Sequence, residues 1–133
     1  MEDEAKQRWY APAYLRCLTP GKHLCCLYDS DEERREVVLP FLEQGLVENQ
    51  RVIYIATETS GEDVFEALAE KGVSVGDYRE SGQLIVQQAR HAYLQNGIFD
   101  PEAMIETLHR QTEDAVAEGY DALRITGEMS WVL

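Results

Sequence analysis

Basic residues are scarce in this sequence of 133 residues: 12 Lys and Arg face 25 Asp and Glu, for a formal charge of -13 and a pI near 4.5. Nucleic-acid binding needs a basic stripe to displace counterions from phosphates, and none is written here. Anionic membrane surfaces are disfavoured by the same repulsion. The acidity reads mainly as a solubility device, with an acidic docking face as the sharper alternative. Long apolar runs are missing too, so nothing approaches a membrane span. The opening MEDEAKQRWY is charged and has no apolar core of the signal-peptide kind. Cysteine is limited to Cys17, Cys25 and Cys26, with no C-x-x-C pair. That pattern excludes a disulfide framework and predicts free thiols in a cytoplasmic protein.

Glycine is lacking where a nucleotide site would need it. A phosphate loop reads G-x-x-x-x-G-K-[ST] between a strand and a helix. Here the corresponding exit, Tyr28 to Glu33, holds no glycine and four carboxylates. Backbone amides cannot wrap a phosphate there, and the carboxylates repel it. Gly21 and Lys22 precede the expected strand and cannot replace the loop.

What is present is an alternation of apolar runs and amphipathic stretches. Residues 1–20 read as an irregular lead-in, and residues 21–133 as one domain of ordinary size. HLCCLYD (23–29) reads as a first strand. Ser30 with Glu33 forms a capping box for a helix whose face is Val38, Phe41, Leu42, Gly45 and Leu46, with a bend expected at Pro40. RVIYIAT (51–57) is apolar on both alternating faces, the mark of a central parallel strand. Ser60 opens a helix carrying Val64, Phe65 and Leu68, and Gly72 closes it. GQLIVQQA (82–89) is a third strand. Asp100 and Pro101 start a helix lined by Met104, Leu108, Thr112 and Ala115, which ends at Gly119. DALRITGEMSWVL (121–133) is a fourth strand. The order βαβαβαβ predicts an α/β fold: a three-layer sandwich around a mainly parallel sheet. The sequence stops directly after an apolar strand and reads as a piece of a longer protein.

In such sheets ligands gather at the carboxyl ends of the strands. That draws attention to Tyr28, to Tyr93 before the third helix, and to Arg124, Glu128, Met129 and Trp131 at the end of the last strand. Two readings of Arg124 and Glu128 stay open: a polar ligand pocket, or an ion pair beside core packing. Tyr93 and Phe99 lie in a long connection that either covers the strand exits or seals the core. His23 and Cys25 fall on one face of the expected first strand, with Cys26 on the other. They are candidate ligands for a transition metal such as zinc, which would need a further donor such as His91, Glu58 or Glu128; the alternative is that they are core residues.

The ordered segments GKHLCCLYDSDEERREVVLPFLEQGLVENQRVIYIAT, SGQLIV, YLQNGIFDPEAMI and EGYDALRITGEMSW resemble the MEDS domain, the methanogen/methylotroph sensory domain named after the DcmR regulator. His23, Cys25 and Tyr28 match its H-x-C-x-x-Y opening; Arg124, Glu128, Met129 and Trp131 match its closing R-I-x-G-[DE]-M-S-W pattern. The resemblance implies a RecA/KaiC-like fold with a degenerate phosphate loop. It implies a non-enzymatic input domain of signalling and transcription regulators that senses a small hydrocarbon derivative. It also implies an attached output module, such as a histidine kinase or a DNA-binding domain. Ligand binding is then expected to act on that module by shifting the helices or a homodimer contact. The rival expectations are a degenerate NTPase, a metal-dependent enzyme and a ligand-free dimerisation module.

Overall fold

The computed structural model describes residues 15, 17–57, 60–95 and 97–129. The first element with both ends among the described residues is α1, Asp31–Val47. Its start is fixed by Ser30, whose hydroxyl accepts from the Glu33 backbone N–H at 3.2 Å. Glu33 reaches back, its carboxylate accepting from the Asp29 N–H at 2.9 Å. Two of the otherwise orphaned donors of the first turn are thereby satisfied. The helix runs through Pro40, which is buried and contributes no N–H to the ladder.

Strand β1, Arg51–Ala56, is buried along its whole length. It forms the centre of a three-stranded sheet between β2, Leu84–Gln88, and β5, Leu123–Gly127, with both pairings parallel. Helices α2, Ser60–Glu70, and α3, Val75–Ser81, lead from β1 to β2. A short helix α4, Ala89–Tyr93, and a two-residue ladder between β3, Leu94–Gln95, and β4, Ile98–Phe99, lead to α5, Pro101–Ala117.

The sheet separates two apolar clusters. On one face Val52, Tyr54, Ala56 and Leu84 meet Val38, Leu42 and Leu46 of α1 and Val64 and Leu68 of α2. On the other, Ile53 and Ile55 meet Ala89 and Tyr93 of α4, with Met104 of α5 packed against them. This is an α/β sandwich of three layers around a parallel sheet, and the double covering explains why β1 reads as unbroken apolar sequence. Among the described residues, no helix is long and apolar enough to cross a membrane.

Helix α5 begins where Asp100 and Pro101 predict. The Asp100 carboxylate accepts from the backbone N–H groups of Glu102 and Ala103 at 3.0 and 3.3 Å. Asp100→Ala is expected to destabilise the domain by about 1 kcal/mol in urea unfolding, while Asp100→Ser stays within a few tenths of the parent.

The expected first strand is corrected. Residues 22–28 form no regular element, and the whole stretch from Gly21 to Ser30 is exposed, Leu27 at 94 %. A short apolar run is necessary for a buried strand but does not supply a pairing partner, and Leu24 to Leu27 do not alternate in polarity. Among the described residues β5 is paired through one edge only, to β1.

Candidate functional site

The carboxyl ends of β1 and β5 are held together by a buried polar cluster. Arg34 lies in the first turns of α1, on the same helical face as Val38 and Leu42, so the burial of that face carries its guanidinium inward. Its Nη1 donates to Glu128 Oε1 at 2.8 Å, and its Nη2 donates to Asp63 Oδ2 of α2 at 3.0 Å. Tyr54, fully buried in β1, donates its hydroxyl to the same Glu128 Oε1 at 2.6 Å. Arg35 forks onto Asp63 from outside, its Nε donating at 3.0 Å. The Arg34 and Glu128 side chains are only 9 % and 6 % exposed, which makes this a desolvated pair rather than a surface one.

Burial pulls the Arg34 guanidinium down, but the Glu128 carboxylate, the Tyr54 hydroxyl and Asp31 outweigh it, so its pKa is raised and the group stays cationic. Five N–H bonds radiate from a guanidinium. The Arg34 Nε–H is buried and has no acceptor among the described residues. An unmet donor of this kind costs about 1–3 kcal/mol.

Tyr28 stands beside this cluster, 40 % exposed. Its phenol pKa is raised first by burial and then by the Glu128 charge, with Arg34 opposing. Met129, half exposed, follows Glu128 directly. Tyr28 thus lies within electrostatic reach of Glu128.

Arg124 goes elsewhere. It pairs in register with Val52, near the amino end of the sheet. Four residues of strand separate it from Glu128, roughly 13 Å, so the two cannot line one small pocket. Its Nε donates to Gln50 Oε1 at 2.7 Å and its Nη1 to the Phe41 carbonyl at 3.0 Å, while its Nη2 faces Glu48 at 3.4 Å. The guanidinium also lies over the Phe41 ring, 4.9 Å from its centroid. Burial lowers its pKa, with Glu48 opposing. Arg124 thus ties β5 to the last turns of α1 and is not the ion-pair partner of Glu128.

Tyr93 lies on the opposite face of the sheet from Tyr54, packed with Ile53, Ile55 and Ala89. Burial raises its pKa. The cavity beside it, lined by Asp100, Met104 and Thr107 among others, measures about 10 Å³. That is room for a single water, not for an organic ligand. Trp131 and Glu58 lie outside the described residues.

His23, Cys25 and Cys26 are exposed on the coil before α1. The Cys26 thiol pKa is raised, mainly by burial and then by Cys25 and Glu33, so it stays protonated at neutral pH. Two donors on an exposed coil fall short of the three or four protein ligands that zinc takes. Among the described residues no group of three or more His, Cys, Asp or Glu is gathered to hold a metal ion.

Arg34, Tyr54 and Asp63 carry the site and were not singled out as site residues from the sequence. A signal existed for Arg34: a cation on the apolar stripe of an amphipathic helix needs a buried partner. Tyr54 gave a second one, as a hydroxyl inside a strand with no polar face.

No curated protein and no solved structure matches the chain. The family model that matches is MEDS, described as MEthanogen/methylotroph, DcmR Sensory domain, over residues 22–133. That span includes Tyr28, every member of the polar cluster and all elements that position them. The chain belongs to the MEDS family of sensory domains.

Proposed function

We propose that this chain is a non-catalytic signal-input domain that takes up a small, partly apolar molecule at the carboxyl ends of β1 and β5. The observation that carries the reading is the buried cluster of Arg34, Glu128, Tyr54 and Asp63 beside the part-exposed Tyr28 and Met129. A few convergent polar groups next to apolar side chains are what fixes a small ligand in place. The glycine-free, acidic exit at Asp29 to Glu33 argues against nucleotide turnover even if the sheet is of RecA-like descent. In this reading the domain works in the cytoplasm and governs an attached output module, such as a histidine kinase or a DNA-binding domain, directly or through a homodimer. Ligand binding biases one of two arrangements of the cluster, and the module reads that bias.

The test is a thermal-shift screen of purified protein against short alcohols, ketones, amides and hydrocarbons, followed by calorimetry of the hits. A saturable rise in Tm is expected, with affinity reduced about tenfold or more in Tyr28→Ala. ATP or GTP turnover by the pure protein, lost in Glu128→Gln, would replace this reading with an enzymatic one.

A further inference from the structure

We propose that Arg34 is the recognition residue of this site, and that its unmet Nε–H selects ligands bearing a neutral hydrogen-bond acceptor, such as a small ketone or amide. The inference rests on the ligand-binding reading above and specifies the chemistry of what binds.

Three observations lead to it. First, both terminal nitrogens of Arg34 are engaged, Nη1 by Glu128 and Nη2 by Asp63, while the buried Nε has no acceptor among the described residues. Those two carboxylates fix the plane of the guanidinium, so the direction of the remaining donor is set in advance. A preorganised donor in a desolvated site discriminates strongly between a molecule that satisfies it and one that does not.

Second, the charge balance selects for neutrality. Among the described residues, Arg34 and Arg35 are matched by Asp63 and Glu128. Asp31, 3.8 Å from Arg34 Nη2, tips the neighbourhood towards negative. An anion meets net repulsion there, and a cation offers Arg34 nothing to accept its proton. A carbonyl oxygen satisfies the donor without adding charge.

Third, the stretch that precedes α1 is loosely held. Among the described residues, the backbone N–H groups of residues 21–28 donate no hydrogen bond. Tyr28, at the end of this stretch, responds to the charges of both Glu128 and Arg34. Its part-exposed ring offers an aromatic surface near the cluster for the apolar part of a ligand.

The experiment follows the Arg34 Nε–H resonance in 15N-labelled protein, with its assignment made by loss of the peak in Arg34→Lys. Cyclopentanone, cyclopentane and cyclopentanecarboxylate are titrated in parallel. With cyclopentanone, that resonance and the backbone amides of residues 54–57 and 127–129 are expected to shift together with one half-saturation point. Cyclopentane and the carboxylate are expected to bind about tenfold or more weakly. If those amides titrate while the Arg34 Nε–H stays still, or if cyclopentane or the carboxylate binds as well as the ketone, the Arg34 assignment is overturned and the ligand-binding reading stands. If no probe moves any of these amides, both fall. The titration uses the unaltered protein, so a folding defect in Arg34→Lys does not decide the outcome.

Discussion

Glu128→Leu lowers the unfolding free energy by about 3–5 kcal/mol, because it strands a buried guanidinium without its nearest anion. The leucine fills much of the space, so the loss is electrostatic rather than a matter of packing. Arg34→Met alone is expected to cost a similar amount, since it leaves the Glu128 carboxylate buried with the Tyr54 hydroxyl as its remaining donor among the contacts described. The double variant Arg34→Met/Glu128→Leu recovers most of that loss, because neither buried charge then lacks a counterpart, and Asp63 keeps Arg35. Urea unfolding of the four proteins, read as a double-mutant cycle, provides the check. Strict additivity of the two single losses would show that the pair is not coupled. A double variant that matches the parent in stability but no longer takes up ligand would show that the cluster is maintained for recognition and not for folding.

Gly127→Ala is the second large effect, expected at about 2–3 kcal/mol. A Cβ at this position overlaps the Tyr93 hydroxyl and comes within 3.1 Å of its ring Cζ and 3.2 Å of Ile55 Cβ. Tyr93 is buried at the end of α4, and Ile55 belongs to the central strand, so neither side chain can swing clear. The lower chain entropy that alanine brings to the unfolded state offsets only part of the strain. Tyr93→Phe removes the hydroxyl in question. Tyr93→Phe/Gly127→Ala is therefore expected to be more stable than the sum of the single effects allows, by about 1 kcal/mol, in chemical denaturation. Simple additivity would locate the clash elsewhere.

Local features were legible wherever a residue type has few alternative uses. Asp100 followed by Pro101 marks a helix start almost without competition, and the capping contacts are present. The run from Arg51 to Ala56 has no polar face, so only a strand covered on both sides could hold it. The family resemblance likewise rests on ordered segments between Gly21 and Trp131, and the family match runs over residues 22–133. Helix α3 was not legible: it has seven residues, contains Gly76, and its leading Ser74 makes no side-chain cap. The run 23–29 was misread because apolar content says nothing about whether a strand edge is within reach.

The site was half legible for a related reason. Glu128 draws attention because it leaves the end of β5, where ligands collect; Tyr28 draws it from a strand that the structure does not contain. The cation bonded to Glu128 is Arg34, 94 positions away, and not its sequence neighbour Arg124. Strand geometry keeps Arg124 and Glu128 apart, whereas a helix laid across the sheet brings a distant arginine over the strand end. Nothing local records that crossing; it follows from how the apolar face of α1 docks.

The arrangement has a mechanical corollary. Arg34 is bonded at once to the segment leaving β5 through Glu128 and to α2 through Asp63, while its own backbone belongs to α1. Three stretches of chain thus meet at one planar, rigid side chain, like rods at a pinned joint. A push on that plane is transmitted to all three at once, since the guanidinium cannot turn without dragging both carboxylates. A ligand that engages Arg34 would therefore act on two helices and the strand exit through one side chain.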